Sequence, residues 1–195
     1  DDILNAAEAG NPLTISGSSN AEAGQTVTVT LNGVTYTGTV QADGSWSVSV
    51  PTADLSNLTA SQYTVSASIS DKAGNPATAT HGLAVDLTVP VLTINTVSGD
   101  DIISGAEKGA PLTLTGSTQQ AETGQTVTVT LAGQSFTTTV QADGSWSLTV
   151  PAAAMGNLPD GAVAITASVT DLSGNTGNTS RTITVDSQAP ALSID

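Results

Sequence analysis

The acidic side chains are the residues of this sequence best suited to chemistry. Seventeen Asp and Glu stand against three Lys and Arg, which gives a formal net charge of −14. The chain has no cysteine and a single histidine. Carboxylate oxygens without thiolate or imidazole partners suit a hard cation such as Ca²⁺ better than zinc or copper. Magnesium would prefer fewer protein ligands and more water, so calcium binding is the chemistry to consider first.

These acids are concentrated in a stretch at the middle of the chain, VDLTVPVLTINTVSGDDIISGAEKG at 85–109. Its charged residues are Asp86, Asp100, Asp101, Glu107 and Lys108. Carboxylates gathered in water repel one another by roughly 1 kcal/mol per close pair, and a bound calcium ion would remove that cost. The stretch therefore indicates a domain junction that a cation clamps.

The elements that position these acids occur twice along the chain. Three segments return almost unchanged after 99 or 100 residues: 1–17 as 100–116, 21–51 as 121–151, and 85–95 as 185–195. DKAGN at 71–75 returns as DLSGN at 171–175. Self-similarity at a fixed period is the signature of a repeat array, so the chain is two repeats of about a hundred residues.

Within a repeat, apolar residues alternate with Thr and Ser, which predicts strands with one buried and one wet face. Asn32-Gly33 and Asp43-Gly44 are turn signals between them. Frequent turns in a unit of this length predict an all-β fold, a two-sheet sandwich of immunoglobulin type. Trp46 and Trp146 start strands and are expected to plug the core.

The repeats divide the chain into an Ig-like repeat at 1–86, a linker at 87–90, a second repeat at 91–186 and the start of a third at 187–195. The first strand of the second repeat is expected at Val91–Val97. The first repeat lacks its counterpart, since the chain begins at Asp1. We therefore expect a piece of a longer protein whose first domain has an exposed sheet edge, or an edge that a neighbour's tail fills.

Strands of a sandwich run from pole to pole, so successive loops alternate between its two ends. This count places Asp1, Asp2, Glu8 and Asp86 at the lower pole of the first repeat. It places Asp171, Asn175, Glu122 and Asp143 at the upper pole of the second, facing the first set across the linker. The lower pole of the second repeat carries Asp100, Asp101, Glu107 and Asp186. Helical turns at 6–10 and 105–109 would present the glutamates.

Ordinary turn chemistry competes with this interpretation, because Asp-Gly and Asp-x-x-Gly-Asn are common turn sequences. Asp43 and Asp143 fit turns better than ligands, whereas Asp71 and Asp171 fit either role. Recurrence at a pole favours the ligand role for Asp2, Glu8 and Asp86, and for Asp101 and Glu107.

Other reactive groups form no catalytic constellation. His81, the only histidine, is replaced by Arg181 in the second repeat, which argues against catalysis or metal binding at that position. No Gly-x-Ser-x-Gly elbow is present, and Trp46 suits a core position better than a sugar platform. The acidic balance argues against nucleic acid and anionic membranes as partners, and no apolar run is long enough to span a bilayer. We expect no enzyme activity.

At VDLTVP, GDDIISGAE, QADGSW and DLSGN the sequence resembles the bacterial Ig-like repeats of giant adhesins exported by type I secretion. The resemblance covers essentially the whole chain. It implies secretion to the bacterial surface, calcium at the domain junctions, and a role in attachment and biofilm. Carried over to this chain, it implies one site from Asp2, Glu8 and Asp86 with Asp171, and an incomplete next site, weakened by Lys108, from Asp101, Glu107 and Asp186.

The resulting hypothesis is a monomeric structural extender whose partners are neighbouring repeats of the same chain, with other cells or surfaces beyond them. Two alternatives stay open. The domains could bind a glycan or host protein, which small, polar loops at 17–24 and 51–62 disfavour, or they could pair between cells through their strand edges.

Overall fold

The computed structural model describes residues 1–194. It divides into two compact units, Asp1–Thr88 and a second that begins at Val89. In the described residues, no helix is both long and apolar enough to cross a membrane. We describe each unit by itself.

Unit 1 is a two-sheet sandwich. Its elements are β1 (Ile3–Asn5), α1 (Ala6–Ala9), β2 (Leu13–Ser18), β3 (Thr26–Leu31), β4 (Val34–Thr39), β5 (Ser45–Val50), α2 (Thr52–Leu55), β6 (Gln62–Ser70) and β7 (Pro76–Asp86). One sheet has the order β1-β7-β6-β3-β4, and the other contains β2 and β5. All pairings are antiparallel except that of β1 with β7.

Unit 2 repeats this plan with one additional strand. Its elements are β8 (Val91–Ile94), β9 (Ile102–Ser104), α3 (Gly105–Lys108), β10 (Leu112–Gln119), β11 (Thr126–Leu131), β12 (Gln134–Thr139), β13 (Ser145–Val150), α4 (Ala152–Met155), β14 (Gly161–Thr170) and β15 (Thr176–Asp186). The sheets have the orders β12-β11-β14-β15-β9 and β13-β10-β8. The predicted tandem Ig-like sandwich is confirmed.

The repeated sequence TVTVTL shows why these segments form strands. In β3 and β11 the three apolar residues are buried, whereas the threonines are exposed or only partly buried. Period-two alternation of this kind places one face on the core and leaves the other toward water. Asn32 and Gly33 then close the β3–β4 hairpin with φ of 48° and 77°, as a two-residue turn with two positive φ angles requires.

The two tryptophans differ in burial although they occupy equivalent positions. Trp146 is 1% exposed and belongs to the unit 2 core. Trp46 is only partly buried and packs at the margin of the unit 1 core. The prediction that both residues plug the core therefore holds fully for Trp146 alone.

The short strands β1 and β9 lie in segments that the sequence predicts as loops. Ile103 is fully buried, and β9 pairs in parallel with β15 through Thr184↔Ile102 and Asp186↔Ser104. A three-residue strand is too short to show alternation, so the pattern carried no signal for it. This pairing also fixes the position of Asp101 beside the interior of β15, upstream of its end at Asp186.

Candidate metal-binding carboxylates

Asp2 and Asp101 immediately precede the short parallel strands. Both adopt positive φ, 62° and 64°, a conformation that Asp tolerates better than most residues. The turn directs their carbonyl oxygens toward the neighbouring long strand, where Asp2 accepts from the N–H of Ala84 and Asp101 from that of Thr184, both at 2.9 Å. Each aspartate thus starts a parallel pairing through its backbone.

The side chain of Asp101 is held by an arginine of its own unit. Arg181 Nε donates to Oδ1 at 2.6 Å, and Arg181 also donates to Oδ2, so the contact is bidentate. The N–H of Val97 donates to Oδ1 at 2.9 Å. The Arg181 hydrogen bonds, the Val97 hydrogen bond and the arginine charge lower the pKa of Asp101 to about 2. Such bidentate pairs fix geometry as well as charge.

Arg181 also reaches the end of the first strand of unit 2. It donates to the carbonyl of Ile94 at 3.0 Å and to the hydroxyl of Thr96 at 3.1 Å. In unit 1 the equivalent pair is His81 and Asp2, with 2.8 Å between Nε2 and Oδ1. Hydrogen bonding to His81 and the charge of His81 lower the pKa of Asp2.

Sequence reasoning missed these structural partners. The available signal was the recurrence of a cationic side chain at 81 and 181, eighty residues after an equivalent aspartate in each repeat.

The glutamates complete capping boxes. The predicted helical turns exist as α1 and α3. Glu8 Oε2 accepts from the N–H of Asn5 at 3.0 Å, while the Asn5 side chain accepts from the N–H of Glu8. Glu107 makes the same bond to the N–H of Ser104 at 2.9 Å and accepts from its hydroxyl, which lowers the pKa of Glu107. Both side chains therefore turn back onto their own helix.

The aspartates at strand boundaries act as turn acceptors through one oxygen each. Asp1 Oδ1 accepts from Ile3 at 3.2 Å and Asp100 Oδ1 from Ile102 at 3.0 Å. After the long strands, Asp86 Oδ1 accepts from Thr88 at 3.0 Å and Asp186 Oδ1 from Gln188 at 3.2 Å. These bonds span two residues, the pattern of an Asx turn.

The Asp-x-x-Gly-Asn loops form a more extended version of this turn. Asp171 Oδ1 accepts from the N–H groups of Ser173 at 2.9 Å and Asn175 at 2.8 Å. Asp171 and Asn175 are 5% and 2% exposed, whereas Asp71 and Asn75 are more exposed. The hydrogen bonds from Asn75 lower the pKa of Asp71.

Two further predicted donors support loops. Glu122 Oε2 accepts from the N–H of Leu172 at 3.0 Å and so ties this loop to a neighbouring one. Asp143 accepts from the N–H of Ser145 at 2.9 Å, and Asp43 does the same in unit 1 at 3.0 Å. These are turn contacts.

These positions do not assemble into a single carboxylate cluster. Among residues 1–194, no three His, Cys, Asp or Glu side chains come together in a group that could hold a metal ion. The donor chemistry fits calcium, because the candidates are oxygen ligands and the hydrogen bonds around Asp2, Asp71, Asp101 and Glu107 favour their ionised forms. The calcium site and its ligands stay a prediction.

Comparisons with known proteins identify similar repeats. The family described as bacterial Ig-like domain matches residues 5–87 and again 88–187. No curated protein sequence matches the chain. Among solved structures, a Ca²⁺-stabilised adhesin with which an Antarctic bacterium reaches out and binds ice is 34% identical, with a TM-score of 0.59. A structure from work on host cell surface retention of a 1.5-MDa bacterial ice-binding adhesin is also 34% identical, with a TM-score of 0.56.

These likenesses extend over nearly the whole chain but only part of each relative. The two alignments cover 98% and 96% of this chain, and 48% and 62% of the other chains. The similarity therefore concerns the repeats themselves.

Proposed function

The chain belongs to the bacterial Ig-like domain family, and on that basis we propose that its repeats are structural extender domains of a secreted bacterial surface adhesin, stiffened by calcium. The observation that carries the proposal is the 34% identity, over 98% of the chain, to an adhesin described as Ca²⁺-stabilised. The repetition itself supports it, since the same sandwich occurs twice with the same loops. Attachment of cells to surfaces and biofilm formation would be the role of the whole adhesin.

Calcium explains how so acidic a chain can become stiff. A net charge of −14 in 195 residues opposes compaction through self-repulsion. An ion that binds only the folded form stabilises it by about 2.7 kcal/mol at a hundredfold excess over Kd. Extracellular calcium sites have Kd values of roughly 0.1–1 mM. This gain is a substantial part of the roughly 5–15 kcal/mol that stabilises an ordinary domain.

We propose that the ligands come from the ends of the repeats, with boundaries at 1–86 and 91–186, a linker at 87–90 and the start of a further repeat at 187–195. The first set is Asp1, Asp2, Glu8, Asp86, Asp71, Asp171 and Asn175, and the second is Asp100, Asp101, Glu107 and Asp186. Asp86 is the best single probe, because it terminates a long strand and accepts a turn hydrogen bond through Oδ1. Asp86→Asn keeps an acceptor for that turn while removing charge.

The proposal is tested by calorimetric titration with calcium and by thermal melts in calcium and in EGTA. Calcium should raise the melting temperature, magnesium should raise it less, and Asp86→Asn should reduce the calcium-dependent part. Asp43→Asn is the matched control, since it removes the same charge at an Asx turn that bonds Ser45. Equal melting temperatures in calcium and EGTA, together with no heat of binding, would sink the calcium proposal.

A further inference from the structure

An open groove runs along unit 1 beside strand β2. It has a volume of about 800 Å³ and is lined by Leu13, Ile15, Trp46 and Val65, among others. Leu13, Ile15 and Trp46 are only partly buried. In unit 2 the equivalent residues of the first and third of these, Leu112 and Trp146, are 7% and 1% exposed. The two sandwiches thus share a sequence but differ in how well one sheet is covered.

Strand β8 covers this position in unit 2. It pairs antiparallel with β10 through Ile94↔Gly116, Thr93↔Ser117 and Leu92↔Thr118. Leu92 and Ile94 point into the core at 6% and 7% exposure. Thr93 faces the other way, where its hydroxyl lies 2.9 Å from that of Ser117. The sheet of unit 1 that contains β2 and β5 has no third strand among the described residues.

The same chain carries a second copy of the β8 sequence. PVLTI at 90–94 returns as PALSI at 190–194. Leu192 and Ile194 are equivalent to Leu92 and Ile94, but they are 93% and 94% exposed. Two large apolar side chains with β8 spacing are thus presented to water, while unit 1 presents the groove that such a strand fills.

We propose that the segment 189–194 of one copy of this chain docks as a strand in the unit 1 groove of a second copy. The β8 register places Ile194 beside Gly17 and Ser193 beside Ser18, because Gly17 and Ser18 pair with Trp46 and Ser45 as Gly116 and Ser117 pair with Trp146 and Ser145. Main-chain hydrogen bonds to β2 supply affinity, and the two apolar pockets supply specificity.

One difference between the units shapes the docked strand. A Cβ at Gly177 would collide with the carbonyl oxygen of Pro90, and unit 1 has Ala77 at the equivalent position. The tail therefore follows β8 over 192–194 and turns away from β7 at Pro190. Since each copy has one groove and one tail, the contact is heterologous and builds open head-to-tail chains.

The first test measures mass against protein concentration by sedimentation, in EGTA to remove calcium effects and in high salt to screen the net charge. Association should appear at millimolar concentration, and Leu192→Asp with Ile194→Asp should weaken it more than about tenfold because both pockets then receive charges. Leu172→Asp is the matched control, because Leu172 is 70% exposed outside the tail. A monomer at every concentration, or association unchanged by the tail variant, overturns the proposal.

The second test fixes the register. The chain has no cysteine, so Ser18→Cys with Ser193→Cys introduces one thiol at each end of the predicted contact. Oxidation should produce covalent dimers and longer chains, with the emission of Trp46 shifted to the blue as the groove closes. The pair Ser18→Cys with Ala191→Cys, two residues out of register, should cross-link much less. Equal cross-linking of the two pairs, or cross-links only within one chain, contradicts the docking. Both tests run without calcium, so neither outcome depends on the extender function.

Discussion

Leu92 and Leu192 are the same residue of the repeat in two environments, and truncating each to alanine tests what the first strand contributes to a unit. Leu92 in β8 is 6% exposed in the unit 2 core, whereas Leu192 is 93% exposed. We expect Leu92→Ala to lower the free energy of unfolding of unit 2 strongly and Leu192→Ala to leave both units nearly unchanged.

The magnitude follows from burial. Removing a buried leucine to alanine costs about 2–5 kcal/mol, the transfer energy of the lost atoms plus the cavity they leave. Substitutions of exposed residues usually stay within about 0.5 kcal/mol. For a domain of this size, each kcal/mol lowers the melting temperature by roughly 4–8 °C. Leu92→Ala should therefore lower the unit 2 transition by roughly 10 °C or more.

The assay is urea unfolding followed by tryptophan fluorescence, with one tryptophan in each unit. Trp146 is buried in unit 2 and Trp46 is half-buried in unit 1, so their signals separate the two transitions. Trp46→Phe removes the unit 1 signal and assigns the remaining one. The reasoning is refuted if Leu92→Ala shifts both transitions equally, or if Leu192→Ala, measured at micromolar concentration, costs as much as Leu92→Ala.

Two other substitutions should separate the units. Gly116→Ala should destabilise unit 2 by about 1–3 kcal/mol, because its Cβ would meet the Trp146 ring at 2.5 Å and a carbonyl of β8; Gly17→Ala, with no such carbonyl in contact, should cost less by the same urea assay. Arg181→Met should make unit 2 less sensitive to acid. Arg181 depresses the folded pKa of Asp101 to about 2, so its stabilisation is complete above the ordinary value of 3.8 and is lost as pH falls toward 2. Urea midpoints at about pH 7 and about pH 3 measure this, and an unchanged acid loss in the variant would argue against the pairing.

The strands and the sandwich could be predicted because their signals are local and repeated. Alternation in TVTVTL fixes which face is buried, and Asn32-Gly33 fixes a hairpin. The short strands β1 and β9 could not be predicted in this way, because three residues carry no periodicity. Their placement depends on parallel pairing with strands roughly eighty residues away in sequence.

The carboxylates illustrate the same limit at the level of side chains. Their recurrence predicted a shared role, but not which role. Asp101 has its partner in Arg181, and Glu107 has its partner three residues away in Ser104. A charge pattern alone does not distinguish a metal ligand from an ion pair or a cap, because all three need an ionised oxygen at a fixed position.

This double use of the acids decides how calcium binding can be separated from folding. The turn hydrogen bonds of Asp1, Asp100 and Asp186 go to Oδ1, and asparagine retains an oxygen at that position. Replacing such an aspartate by asparagine therefore keeps the turn and removes a ligand charge, whereas alanine removes both. If calcium acts through these residues, asparagine variants should match the wild type in EGTA and fall below it in calcium, while alanine variants should be weaker in both. If the acids serve only turns, the asparagine variants should match the wild type under both conditions.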